Sequence, residues 1–341
     1  MPFKRVQQAI EDIKQGKMVV MIDDEDRENE GDLVYAATFS TPQKVNFMAT
    51  EAKGLICVAI SKDIADRLKL QPMVHQNDSQ HGTAFTVSVD AKEATTGISA
   101  YERDMTIKLL ASPLSSPQDF VRPGHIFPLI AKDGGVLVRT GHTEGSVDLC
   151  KLAGVLPCAV ICEIMRDDGQ MARRDDLEVF AKRHDLNIVY ISDLVEYRLR
   201  NERLVQLVSE EEIELFDTKV DKKIFKDHQG RCHYAIVFYK LHETENVKFH
   251  KIGRDIDLLM HQFRYKQLVN SIDYLKKSGG VVVFLDSTDT NASDSMKEYG
   301  IGAQILTELG IKNIRLLVSS KGKEFVGLAG FGLDIIEEIE V

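Results

Sequence analysis

The chain has no run of the roughly 18 consecutive apolar residues that a membrane-spanning helix needs, and no apolar segment before Glu11 and Asp12 of the kind that opens a secretory signal. It has no CxxC pair either. Its five cysteines, Cys57, Cys150, Cys158, Cys162 and Cys232, are odd in number and sit mostly inside apolar runs, the usage of reduced, buried thiols. Positive charge is also short, with a formal net charge of -10. Nucleic acid and anionic membranes require clustered cations, so neither is expected as a partner. Internal repeats and low-complexity tracts are missing as well. These absences point to a cytoplasmic globular protein acting on a small molecule.

What is present suits two domains. The chain has 341 residues, 43% hydrophobic and 28% charged, enough for two separate cores. Phe3, Val6, Ile10 and Ile13 recur at helical spacing up to Gly16, Thr41-Pro42 opens a helix through Lys53, and Ser61 caps a third. Met18 to Ile22, Leu33 to Phe39, Leu55 to Ile60, Ala84 to Val89, Gly135 to Val138 and Ala159 to Met165 read as strands. Ala172 to His184 and Ser192 to Gln206 read as helices, and the charged stretch from Glu196 to Glu214 shows no strand signal, which puts a domain boundary near residue 200. Beyond it come strands at Tyr234 to Tyr239 and Val281 to Leu285, a long helix at Asp257 to Lys277, and a closing helix and strand. Strands and helices mix without a strict βαβ rhythm, so the class is α/β with α+β-type mixed sheets.

Between the first two strands, seven acidic residues crowd into Asp23 to Asp32. Like charges this close repel, which calls for a cation or polar ligand to offset them. Alternatively the run is a solvated turn. Arg27 inside it and Gly31 at its end favour a ligand-facing loop, but a calcium loop starting at Asp26 fails, because its twelfth position is Ala37.

Further clusters carry chemistry. Arg139-Thr140-Gly141-His142-Thr143-Glu144-Gly145 precedes an apolar helical stretch and offers the parts of an anion cradle, or else a plain helix cap beside a surface histidine. Glu163 is a single carboxylate in the apolar run Ala159 to Met165, so it needs a partner, a metal or a raised pKa, unless alternation turns it to solvent at a sheet edge. Pro123-Gly124 forms a turn presenting His125, and Thr95, Thr96 and Arg103 add groups suited to a sugar or phosphate. Together these fit a metal-assisted reaction on a phosphorylated polyol.

The strings DDEDRENEGDL from Asp23, RPGHIFPL from Arg122 and RTGHTE from Arg139, with Thr95 to Ala100 between them, closely resemble 3,4-dihydroxy-2-butanone-4-phosphate synthase of riboflavin biosynthesis, over residues 1–198. The resemblance implies conversion of D-ribulose 5-phosphate to 3,4-dihydroxy-2-butanone 4-phosphate and formate, helped by Mg²⁺ (or Mn²⁺), in a cytoplasmic homodimer. It implies that Glu28 and His142 bind metal, and that His125 and Glu163 are catalytic. Arg27, Glu28, Asp32, Thr96, Glu163 and the stretch Arg139, Thr140, Gly141, His142 and Thr143 would contact substrate. It also implies an acidic loop that orders when substrate and metal arrive. Glu102 stands where the family more often has Asp, a change not expected to abolish activity.

Residues 199–341 resemble GTP cyclohydrolase II at His233-Tyr234-Ala235, Tyr299 to Leu306 and Gly327 to Leu333, as a smaller αβ domain. That family holds zinc with three cysteines, and after residue 200 this chain has only Cys232. Phe284 to Thr290 replaces its Glu-Gly-Arg-Gly-Ile-Gly-Leu loop, and Ser319-Ser320 replaces a paired asparagine. Zinc is not expected, and the second domain is expected to keep the fold without the reaction. The alternative is a bifunctional enzyme with a zinc site rebuilt from His228, His233 or His242.

Overall fold

Val6, Ala9 and Ile13 are buried on one stripe of the first helix, α1 (Pro2–Lys14), in a computed structural model that describes residues 2–286, 292–319 and 333–341. Of the features read from sequence, residues 287–290 of the replaced loop, residue 320 and residues 327–332 lie outside these. The chain divides into Met1–Tyr197 and Arg198–Val341.

In the first unit α1 is followed by β1 (Val19–Ile22), β2 (Gly31–Ala36), α2 (Pro42–Phe47), β3 (Cys57–Ile60), α3 (Lys62–Arg67), β4 (Val89–Ala91), α4 (Ala100–Leu110), β5 (Phe120–Ile130), α5 (His142–Leu152), β6 (Cys158–Glu163), α6 (Arg174–Arg183), β7 (Asn187–Tyr190) and α7 (Ile191–Asn201). The strands form one seven-stranded mixed sheet in the order β4-β5-β3-β6-β2-β1-β7. Alternate strand residues, Val20 and Ile22, Leu33 and Tyr35, Val58 and Ile60, Val160 and Cys162, pack with Val45, Met48, Ile107 and Leu177 into one core. The residues between them, among them Met21, Asp32, Cys57 and Ile161, turn to the other face, where α5 packs across β1, β2, β3 and β6.

Several expectations change here. Gly135 to Val138 is a single 3-10 turn over Gly135–Leu137, because Gly134 and Gly135 adopt φ of 89° and 63°, outside the range of a strand. The helix opening at Thr41, whose side chain accepts from the Lys44 N–H, widens into a π-turn at Met48–Ala52 before it ends. Ala84 to Val89 contributes only bridges at Phe85 and Thr86 ahead of the short β4. The Pro123-Gly124 turn lies within β5, where the pairing with β4 jumps from Val89↔Ile126 to Asp90↔Val121 and leaves 122 to 125 bulged.

The second unit contains β8 (Val205–Leu215), β9 (Thr218–Asp227), β10 (Cys232–Phe238), β11 (Thr244–Lys251), α8 (Asp255–Met260), α9 (Gln262–Ser278), β12 (Gly280–Leu285), α10 (Ala292–Glu308), β13 (Asn313–Val318) and β14 (Asp334–Glu340). Its seven-stranded sheet runs β14-β13-β11-β12-β10-β9-β8, parallel from β14 to β12 and antiparallel beyond. Ile236, Phe238, Ile272, Leu275, Val282 and Leu317 build the core on one face. The charged stretch after residue 200 holds a strand after all. β8 is largely exposed, and facing ion pairs to β9 replace the apolar alternation that marks a half-buried strand: Glu210–Lys223 at 2.6 Å, Glu211–Lys222 at 2.8 Å and Glu212–Lys219 at 2.8 Å. The helix expected at Asp257 to Lys277 is two helices, broken at His261.

Candidate active site

The connection from β1 to β2 is organised by its first acid. Asp23 is 1% exposed, and its carboxylate accepts from Arg27 Nη1 at 2.7 Å, Glu28 N at 3.2 Å and Glu30 N at 2.9 Å. Arg173 donates to the carbonyls of Glu28 and Asn29 at 2.6 and 2.7 Å, and Arg174 pairs with Glu25 at 2.9 Å. Three arginines of the chain itself thus offset part of the repulsion expected of the acidic run.

Sheet register then assembles the site. β1 and β2 pair Met21 with Asp32, and β2 and β6 pair Asp32 with Glu163, so the two carboxyl groups project from one face as direct neighbours. β3 pairs with β6 at Cys57↔Ile161 and with β5 at Cys57↔Phe127, so the strands that carry Glu163 and His125 flank the same strand. Glu163, half-buried, finds its partner in the Leu55 N–H at 2.9 Å. Only glycine fits beside it, because a Cβ on Gly54 would stand 2.7 Å from Glu163 Oε2 and 2.3 Å from its carbonyl oxygen.

Helix α5 starts over this row. His142, its first residue, is buried, with Nδ1 3.7 Å from Glu28 Oε2 and 4.0 Å from Asp32 Oδ1. Burial alone would raise the Glu28 carboxyl, but His142 and Arg27, 2.8 Å away, outweigh it and hold it at about 2. Burial likewise opposes charge on His142, yet Asp32 and Glu28 push its pKa up. Asp32 is pushed above the ordinary carboxyl range, chiefly by burial, with Glu163 and Glu28 adding to it.

Asp23, Glu28 and His142 offer ligand atoms within 4.8 Å of one another, the one such group of three among the described residues. His142 Nε2 is buried with no hydrogen-bond partner, an orphaned donor atom of the kind an ion satisfies. Two carboxylates and an imidazole suit a hard divalent cation such as Mg²⁺ or Mn²⁺, so the residues fit the expected group. Arg27 pairs with both carboxylates, at 2.7 Å from Asp23 and 2.8 Å from Glu28, and Asp23 also accepts the Glu28 and Glu30 N–H groups.

His125 stands apart from this trio. Its Nδ1 lies 2.7 Å from Asp90 Oδ2, and its N–H donates to Asp90 Oδ1 at 2.8 Å, so one buried carboxylate fixes both ring and backbone. Thr96 Oγ1 is turned 3.2 Å from Glu102 Oε2, which also receives the Gly97 N–H at 3.1 Å. Glu102 thereby clasps the loop. Arg139 is bound to Glu144 Oε2 at 2.6 Å and to the His81 carbonyl at 3.1 Å, while Thr140 is half-buried and Gly141 and Thr143 are buried around the start of α5. The cradle thus converges on His142, with its arginine already paired.

Two contributors escaped the sequence reading. Asp90 directly follows the alternating Val87-Ser88-Val89, whereas Glu163 stands out as a lone carboxylate in a continuous apolar run. Asp23 was seen only as one acid among seven, although it alone directly follows the apolar run of β1.

The sequence profile of 3,4-dihydroxy-2-butanone 4-phosphate synthase matches residues 7–197, and that of GTP cyclohydrolase II matches residues 258–340. The chain is 58% identical over 339 residues to a 3,4-dihydroxy-2-butanone 4-phosphate synthase of Wolinella succinogenes, spanning 99% of this chain and 97% of that protein. It is similar in structure to RibBX, a two-domain 3,4-dihydroxy-2-butanone 4-phosphate synthase from A. baumannii, with TM-score 0.87, 38% identity and 99% of each chain covered. A 3,4-dihydroxy-2-butanone 4-phosphate synthase in complex with two magnesium ions matches with TM-score 0.56 and 41% identity over 57% of this chain and 97% of that one. A profile over most of the first unit and a relative this similar over nearly the whole length mean that the chain belongs to the 3,4-dihydroxy-2-butanone 4-phosphate synthase family.

Proposed function

We propose that the first unit converts D-ribulose 5-phosphate to 3,4-dihydroxy-2-butanone 4-phosphate and formate for riboflavin biosynthesis, with Glu28 and His142 as ligands of Mg²⁺ (or Mn²⁺). The observation that carries this is the convergence of Glu28, Asp32, Glu163 and a buried, unpartnered His142 Nε2 at one end of one sheet. When bound, the cation supplies Lewis-acid stabilisation of the negative charge that develops on sugar oxygens. Arg27, 2.8 Å from Glu28, and Asp32 face the sugar. His125, oriented by Asp90, and Glu163, oriented by the Leu55 N–H, hold and move protons. Thr96 and the residues from Arg139 to Thr143 surround the substrate.

The metal requirement has a direct test. Formate release from D-ribulose 5-phosphate is expected to stop on chelation and to return with added Mg²⁺, with Mn²⁺ as a substitute. A rate untouched by chelator would overturn the reading.

The homodimer is supported by Ile98, Tyr101 and Val121, which are 54%, 70% and 45% exposed near the Glu102 clasp and His125, an apolar surface that a second copy would cover. The cytoplasmic placement rests on five free thiols, four of them buried, and no described helix is long and apolar enough to cross a membrane.

For the second unit we propose a domain without cyclohydrolase activity. His233 is buried, 3.3 Å from Asp227 Oδ2, and its Nδ1 accepts from the Asp286 N–H at 3.1 Å. No three-ligand group forms in this unit among the described residues. Purified protein is expected to carry no stoichiometric zinc and to release no formate from GTP; either result in the opposite sense restores the bifunctional reading.

A further inference from the structure

Helix α6 begins beside the acidic connection and is fixed there from two sides. Leu177 is fully buried and lies so close to Gly31 that a Cβ on the glycine would stand 2.6 Å from its Cδ1. The chain entering α6 is also tied to the residue that follows Glu163. The Ala172 N–H donates to the Ile164 carbonyl at 3.0 Å, and the Ile164 N–H donates to the Gly31 carbonyl at 2.9 Å. Arg173 therefore projects from a point held against both the end of the acidic loop and the end of β6.

From that point a single nitrogen, Arg173 Nη1, donates to the Glu28 carbonyl at 2.6 Å and to the Asn29 carbonyl at 2.7 Å, with Glu30 Oε1 3.6 Å away. Asn29 holds φ of +54°, a left-handed conformation uncommon outside glycine. The backbone of Glu28 is thus gripped twice, its N–H by the Asp23 carboxylate at 3.2 Å and its carbonyl by Arg173. The Glu28 side chain is left beside His142 Nδ1, at 3.7 Å. Restricting a loop before its ligand arrives removes the cost of ordering it from the binding step.

We infer that Arg173 is a positioning residue for the reaction: its guanidinium holds the turn at Glu28 and Asn29 so that the Glu28 carboxylate is presented beside His142 for a divalent cation. This rests on the reading of Glu28 as a metal ligand. The sign of the effect separates positioning from charge. Loss of a positive group near a cation site tightens cation binding by electrostatics alone, whereas loss of a group that orders a ligand weakens it.

The experiment is calorimetric titration of the metal-free full chain with magnesium chloride, without substrate, for the parent, Arg173→Gln, Arg173→Lys and Glu28→Gln. The guanidinium is 47% exposed, so the fold is expected to tolerate its loss, and near-ultraviolet circular dichroism checks each variant. Arg173→Gln is expected to weaken magnesium binding about tenfold. Arg173→Lys is expected to keep most of the affinity, because both bonds come from one nitrogen and an ammonium supplies two donors as well. In formate release, Arg173→Gln is expected to need about tenfold more magnesium for half-maximal rate, while its KM for D-ribulose 5-phosphate at saturating magnesium stays near the parent value. Equal or tighter magnesium binding in Arg173→Gln, beside weakened binding in Glu28→Gln, overturns the positioning role and leaves the metal assignment standing. Parent-like binding in Glu28→Gln overturns both. A raised KM that magnesium does not correct makes Arg173 a substrate contact, and Arg173→Lys as impaired as Arg173→Gln removes the two carbonyl bonds as the cause; either result overturns the inference.

Discussion

Glu28→Ala and His142→Ala are each expected to lower kcat/KM for D-ribulose 5-phosphate by about 10³-fold, the equivalent of about 4 kcal/mol of transition-state stabilisation from a positioned cation. The argument rests on how few ligands the protein offers. Only Asp23, Glu28 and His142 form a three-ligand group among the described residues, and Asp23 is held by Arg27 and two N–H groups, so loss of Glu28 or His142 removes one of the few ligands that the chain offers. Magnesium affinity measured by calorimetry should fall with the rate. Glu28→Gln keeps the shape of the loop while removing the charge, and near-ultraviolet circular dichroism establishes that each variant is folded. A folded Glu28→Gln protein that binds magnesium and turns over like the parent would falsify the assignment.

The second large effect is expected at a residue that contacts His125 through both ring and backbone. Asp90→Asn is expected to lower kcat by about 10²-fold while KM stays close to the parent value, because a carboxylate that orients an acid–base histidine acts on the chemical step. Asp90 accepts from both the ring and the backbone of His125, at 2.7 and 2.8 Å, so the asparagine amide would present a donor where the ring needs an acceptor. The pH profile of kcat should shift as well, which simple loss of packing would not produce. Gly97→Ala offers an independent route to the same defect. Gly97 has φ of +77°, and a Cβ there would stand 2.0 Å from Asp90 Oδ2 and 2.7 Å from His125 Nδ1. Parent-like rates in both variants would remove Asp90 from the mechanism.

The readability of this chain followed burial. β1, β3 and β6 are short runs of apolar residues with both faces covered, and α1 carries a clean apolar stripe, so pattern alone locates them. β8 is held by Glu–Lys pairs to the next strand of its own hairpin, and its largely exposed run of acids lacks the apolar alternation that marks a strand. Gly135 to Val138 looks like a strand by composition, but two successive left-handed glycines decide otherwise. Glu163 stands out as a lone carboxylate in an apolar run, whereas Glu28, Asp32 and His142 lie in clusters whose individual roles only the family resemblance assigns. Their meeting on one row depends on pairings between residues more than a hundred positions apart, such as Asp32 with Glu163, which no sequence window contains. Asp90 escapes the same rule because the alternation that reads as a strand ends at Val89, whereas the strand itself spans Val89–Ala91.

The paired hairpin of β8 and β9 has a consequence for how this protein behaves when concentrated. β8 closes one end of its sheet, with backbone groups that another molecule's strand would ordinarily find inviting. Glu210, Glu211 and Glu212 give that margin a dense negative fringe, already matched by lysines on the inner neighbour alone. An identical margin brought alongside would set acid against acid, which opposes the joining of two such sheets edge to edge.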